Sequence, residues 1–202
     1  MNEICQTYWH PLHRFALSIG CSHEDAEDCV QGFLAKSSES DFFTLTDPNK
    51  GKMRSYLLIA FKRYIYDVWK KSHALKRGGG VAFTTLEKCS PPSDDSDPSL
   101  AFDQQWALTV IASAKENLKH RYHKIGKSQH FIELESCIDG SPLANTSKTA
   151  ETLGVSTSTL KTIIHRIRKR FGEEVRKAVT ETVASEEDID DELRWLIDVL
   201  GK

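Results

Sequence analysis

Apolar residues recur along this chain at steps of three and four, the spacing that places side chains on one face of an α-helix. Tyr8, Leu12, Phe15, Ala16 and Ile19 form the first stripe, and Gly20 closes it. Ser22 suits a helix N-cap, with Glu24 and Asp25 in the first turn where the helix dipole favours acids. Ala26, Cys29, Val30, Phe33 and Leu34 supply the apolar face of the helix that follows. A loop rich in Ser, Asp and Gly is expected over 37–51, then a long helix over about 53–72 carrying Leu57, Phe61, Ile65 and Val68.

The pattern breaks after residue 76. Gly78, Gly79 and Gly80, then Pro91, Pro92 and a Ser/Asp run to Pro98, have the composition of a solvated tether. Helical spacing resumes over about 100–124, with Phe102, Trp106, Val110 or Ile111, and Leu118 as anchors. A shorter helix is expected over 128–138, ended by Asp139, Gly140, Ser141 and Pro142. Neither an internal repeat nor a strand pattern interrupts this. The expected fold class is all-α: two small helical domains over 1–76 and 100–174, a flexible linker over 77–99, and an acidic amphipathic helical extension over 175–202. In that extension Ser185 and Asp188 resemble a capping box, and Ile189, Leu193, Leu196, Ile197 and Leu200 form an apolar stripe. Glu186, Glu187, Asp190, Asp191 and Asp198 keep the rest acidic. Such a helix has to dock. Either it packs on the C-terminal domain or linker, or its acidic face covers a basic DNA-binding face.

Composition narrows the class. No stretch approaches the roughly 20 apolar residues of a bilayer crossing, and the N-terminus lacks the basic and apolar regions of a secretory signal, so a cytoplasmic protein with no membrane partner is expected. Five scattered cysteines, odd in number and without a CxxC pair, read as reduced thiols. The net charge of −2 conceals segregation. Between Lys50 and Arg77, nine cations face only Asp67, and Lys161, Arg166, Arg168, Lys169 and Arg170 form a second basic block. Acids gather at Glu24, Asp25, Glu27 and Asp28 and in the C-terminal extension. Separated blocks of charge suit different partners.

The most specific motif spans 147–171. Lys148 to Leu153 make a short helix ended by Gly154, which tolerates the left-handed conformation of a sharp turn. Val155 plugs between the two helices, and Ser156 caps a second one whose buried face is Leu160, Ile164, Ile167 and Phe171. The opposite face carries Thr157, Ser158, Lys161, Thr162, His165, Arg168 and Lys169. This is a helix-turn-helix pattern with a polar, basic recognition helix. Hydroxyls at its start, Ser156 included, suit base edges and phosphates, and cations farther along suit the backbone. The plainer account is a helical hairpin with a solvated basic face. By itself the motif does not separate a repressor from a polymerase subunit.

A second basic helix, far from the first, interleaves cations with rings: Arg54, Tyr56, Lys62, Arg63, Tyr64, Tyr66, Trp69, Lys70 and Lys71. Cations track phosphates, and rings offer stacking faces to bases that have left the duplex. Some of these rings are equally expected to serve the core.

These stretches resemble bacterial RNA polymerase sigma factors of the sigma-70 class, extracytoplasmic-function type. The segment SHEDAEDCVQGFL over 22–34 is similar to the family's region-two signature, whose exposed face docks on the polymerase clamp helices. The segment MRSYLLIAFKRYIYDVWKK over 53–71 is similar to the promoter-melting, minus-ten-reading helix, and 147–171 resembles the region-four helix-turn-helix that reads the minus-35 element. The long tail and the Lys-Arg-Gly-Gly-Gly end of the basic helix resemble a divergent subgroup common in planctomycete-like bacteria. The resemblance implies that Asp25, Asp28 and Gln31 face the polymerase. It places Arg54, Tyr56, Lys62, Arg63, Tyr64, Lys70 and Lys71 on minus-ten DNA. Met53, Tyr56 and Arg63 stand where many members have Phe, Trp and Asn, which bears on base preference. The implied function is promoter recognition and strand opening in transcription initiation, with core polymerase and duplex and melted promoter DNA as partners, and room for an anti-sigma factor.

No enzyme is expected. The triple glycine lacks the Lys-Ser/Thr of a phosphate loop, and the acids of 24–28 are explained by the helix dipole and a docking face. Two loose groups, His10, His13, Cys21 and His23, and His120, His123, His130 and Cys137, lack the paired spacing of zinc sites. Hence neither a metal site nor a cofactor is expected. A free-standing helix-turn-helix regulator is the rival reading, with a nucleic-acid-modifying enzyme third.

Overall fold

The computed structural model describes residues 2–39, 52–77, 97–183 and 185–201, with side chains over 5–38, 52–71, 97–183 and 185–201. The fold is all-α, with no strand among the described residues. Among the described residues eight α-helices run in chain order: α1 Asn2–Ser18, α2 His23–Glu39, α3 Met53–Arg77, α4 Pro98–Lys124, α5 Ser128–Leu134, α6 Thr146–Thr152, α7 Thr157–Thr180 and α8 Glu187–Leu200, with a 3-10 turn at Glu135–Cys137. The loop expected over 37–51 loses its first residues to α2, and 40–51 lie outside the described residues. So does most of the expected linker, 78–96.

Packing divides the chain into two compact units, 1–109 with 182–202, and 110–181, the boundary falling within α4. In the first, α1, α2 and α3 pack together through the stripes that their periodicity predicts. Leu12, Phe15, Leu57 and Phe61 are fully buried, each contributing about 1.5–3 kcal/mol of gross hydrophobic stabilisation. The Phe61 ring lies 6.0 Å from Phe15 and 5.1 Å from Phe33, which ties the three helices together. Helix α2 begins as expected: the Ser22 hydroxyl accepts from the Asp25 backbone N–H at 3.2 Å and donates to the Asp25 carboxylate at 2.6 Å. Gly32 lies against the Tyr64 hydroxyl, which would have to shift to admit a Cβ there.

The tail helix α8 belongs to this same unit. Its start departs from the expected capping box: Glu186 is the N-cap with no side-chain cap bond, the Asp188 N–H bonds to the Ser185 carbonyl at 3.2 Å, and the Ser185 hydroxyl only donates to the Asp188 carboxylate at 2.9 Å. Its buried face differs as well. Ile189, Glu192, Leu196 and Val199 are buried, whereas Ile197 and Leu200 are exposed and Leu193 is half-buried. The helix is therefore rotated from the all-apolar stripe, so as to bury a carboxylate.

Among the cysteines, Cys5, Cys29 and Cys137 are free thiols, but Cys21 is disulfide-bonded, which corrects the expectation of five thiols. Burial, with Asp25 and Asp28 nearby, pushes the Cys29 thiol up to about 11. Among the described residues no helix is long and apolar enough to cross a membrane.

At the α1–α2 corner His13 stacks on Trp9 at 4.9 Å, with the His23 ring 5.7 Å away. Burial, then the charge of His23, holds the His13 imidazole below its usual range, with Glu27 opposing. A base whose folded pKa is depressed contributes stability above its ordinary value near 6.5, and that stability is lost as pH falls through the lowered folded value. The melting temperature of the first unit is thus expected to fall on acidification from about pH 7 to pH 5, and His13→Gln to flatten the curve. Equal slopes in the two proteins would remove His13 as a cause.

Candidate nucleic-acid interface

The second unit builds the helix-turn-helix on a core of Leu118, Tyr122, Phe131, Leu134, Cys137, Ile138, Ala150, Leu160 and Ile167. Asn145 caps α6 by accepting from the Lys148 N–H at 2.9 Å. The chain then turns through Gly154 at φ +63°, a conformation that favours glycine, and the Val155 N–H bonds back to the Ala150 carbonyl at 2.9 Å. Val155 packs half-buried against the core, beside Leu153, Ile163, Ile164 and Phe171. Ser156 starts α7, its hydroxyl accepting from the Thr159 N–H at 3.1 Å. The expected Ser156 cap and Gly154 turn are therefore both present.

Outward, Ser156, Thr157, Ser158, Lys161, Thr162, His165 and Lys169 are exposed. Ser158, Thr162, His165 and Lys169 follow one another at steps of four, three and four, so they line one face of α7. Arg168 departs from its expected role as a phosphate contact. It adjoins buried Ile167, and its guanidinium donates to the carbonyls of Cys137 at 2.8 Å and Ser141 at 2.9 Å. Those bonds tie α7 to the loop that leads into α6. Arg170 likewise turns inward, over the Tyr122 ring at 5.6 Å.

In the first unit, α3 presents the second surface. Arg63, Lys70 and Lys71 are exposed, as are Tyr56 and Tyr66. Tyr64 is half-buried against Phe33 at 5.7 Å with the Lys36 ammonium 5.8 Å over its ring, and burial raises its hydroxyl pKa. A cleft of about 210 Å³ opens between α2 and α3, lined by Phe33, Lys36, Tyr56, Ile59, Arg63 and Tyr64 among others, with Asp67 the acid in its wall. Rings and cations thus converge on one concavity, large enough for an unstacked base. Lys62 stands aside from it, donating to the Ser99 hydroxyl at 2.9 Å beneath the Phe15 ring.

Two expectations are corrected here. Arg54, assigned to minus-ten DNA, is buried. It donates to Asp103 at 2.7 Å and, through Nε and Nη2, to both oxygens of Glu192, while the faces of Trp106 and Trp195 lie 5.4 and 5.1 Å from its guanidinium. Lys52 reaches the same Glu192 at 3.0 Å. Burial holds the Asp103 carboxyl above the usual carboxylate range, against the pull of Arg54. Asp25, assigned to the polymerase, is also buried and serves the Ser22 cap. Asp28 and Gln31, one helical turn apart on α2, remain exposed.

Glu192, Asp103, Trp106 and Trp195 did not figure among the sequence-predicted site residues. One signal was present: Glu192 lies three residues after Ile189 and four before Leu196, an acid in the buried register of α8. Among the described residues no group of three or more His, Cys, Asp or Glu is arranged to hold a metal. Comparison with protein-family models, with curated proteins and with solved structures returns no match, so these two surfaces are judged on their own chemistry.

Proposed function

We propose that the chain is a promoter-recognition subunit of bacterial RNA polymerase, an extracytoplasmic-function sigma factor that works in the cytoplasm and is not an enzyme. The observation that carries this reading is the ring-lined cleft between α2 and α3. A helix-turn-helix alone serves a repressor equally well, but duplex DNA has no use for a concavity walled by Tyr56 and Tyr64 beside Lys36 and Arg63. A base that has left its stack does. In this reading Ser158, Lys161, Thr162 and His165 read duplex edges upstream, with Lys169 on phosphate. Arg63, Lys70 and Lys71 hold the strand whose base enters the cleft, and Asp28 and Gln31 contact the polymerase.

Core polymerase is expected to co-purify with the chain and to gain permanganate-reactive thymines on promoter fragments selected from genomic DNA. Tyr64→Ala is expected to lower that reactivity several-fold while duplex binding changes less than about twofold. A chain that binds duplex DNA tightly yet neither retains core polymerase nor opens DNA with it is a free-standing regulator, and the proposal fails.

A further inference from the structure

Helix α8 holds cations that lie on the nucleic-acid-binding helix. Glu192 is fully buried in the middle of its docked face, where the register calls for an apolar residue. It meets Arg54 with both oxygens, the same two-pronged geometry by which a guanidinium grips a phosphate. Lys52 joins it at 3.0 Å. Both cations stand at the start of α3, within one helical turn of Tyr56 in the cleft wall. The outer face of α8 adds exposed Glu186, Glu187, Asp190, Asp191 and Asp198, which repel a phosphate chain approaching the same unit. Ile189, Leu196 and Val199 are the apolar side chains buried from α8, Leu193 and Trp195 are half-buried with the Trp195 ring 5.1 Å from the Arg54 guanidinium, and Ile197 and Leu200 stay exposed, so the charge cluster is a main part of what holds the helix.

We propose that α8 is a releasable intrachain competitor of nucleic acid, with Glu192 occupying the place of a phosphate on Lys52 and Arg54. The inference rests on the nucleic-acid reading of α3 and adds its regulation. When α8 leaves, Lys52 loses its carboxylate and Arg54 keeps only Asp103, which frees the Nε edge of its guanidinium for the backbone of the strand that enters the cleft, and the acidic face leaves with the helix. Binding is reciprocal: a strand that needs those cations must loosen α8 by the factor by which α8 weakens the strand.

The test uses the full chain and a duplex carrying a short unpaired bubble. Hydrogen exchange of residues 187–200 is expected to quicken about tenfold when bubble DNA is bound. A chain truncated after Thr182 is expected to bind that DNA about tenfold more tightly at low salt, with the gain shrinking as salt rises. Glu192→Gln is expected to show part of the gain, and Arg54→Ala in the truncated chain to cancel it. Binding to the truncated chain alone, with none to the full chain, also supports the proposal. Bubble DNA that binds the full chain while α8 exchange is unchanged or slowed overturns it, whether or not the truncated chain folds, and leaves the nucleic-acid reading standing. Failure of every folded variant to bind duplex or bubble DNA overturns both.

Discussion

Arg54→Ala is expected to destabilise the first unit by about 3–5 kcal/mol, the cost of removing one member of a buried ion cluster. The loss is large because two carboxylates are left behind. Glu192 has no exposed side-chain surface and Asp103 has 10%, so neither recovers its hydration when the guanidinium goes, and Lys52 answers only one of them. Two indole faces also lose the cation between them. Removing all three charges together is a different matter. Arg54→Met with Glu192→Met and Asp103→Leu keeps the volume and leaves only the partly exposed Lys52 without its carboxylate, and is expected to lie within about 1–2 kcal/mol of the parent. All four tryptophans fall within the first unit, so indole fluorescence during a urea titration reads this unit alone. A loss below about 1 kcal/mol for Arg54→Ala would mean that water reaches the cluster and that it contributes little.

Lys161→Ala combined with Lys169→Ala is expected to weaken binding of the selected upstream duplex by about 10- to 100-fold and to lower the salt dependence by about two released ions. Both side chains are exposed on the face of α7 that carries Ser158, Thr162 and His165, and they make no bond that holds the fold. The melting temperature of the second unit should therefore stay put. Arg168→Ala is expected to behave in the opposite way, lowering stability by about 1–3 kcal/mol with a smaller effect on the salt slope, since two loop carbonyls lose their donor. Fluorescence anisotropy across a salt series, paired with thermal melts, separates the two. A double lysine variant whose slope is unchanged would take this face of α7 off the DNA.

The helices and the helix-turn-helix were legible because their signals are local. Ser22, Ser156 and Gly154 act within a few residues of themselves, and an apolar stripe at helical spacing is read without knowing what it meets. What was not legible depends on distant partners. Whether Arg54 meets a phosphate or a carboxylate is decided by Asp103, 49 residues away, and by Glu192, 138 residues away. Arg168 looked like its neighbour Lys169, but one step around the helix brings it beside Ile167 and the loop carbonyls. Asp25 reads as one acid among four, and only the Ser22 hydroxyl marks it as the one that turns inward. The register of α8 is not legible from its own residues, because an all-apolar stripe fits helical spacing equally well and a buried acid is tolerated only where distant cations meet it.

The distance along the chain between Arg54 and Glu192 also sets a clock. A ribosome adding about 5–20 residues per second makes Glu192 roughly 7–28 s after Arg54. The whole of 110–181 is synthesised inside that interval, so the second unit is able to fold while the first still lacks the strap that completes it. Until then the guanidinium has Asp103 as its first counter-charge and no Glu192 to grip. Codon usage that slows translation between these two positions would lengthen that exposure, making yield and nascent-chain aggregation sensitive to changes that alter no amino acid.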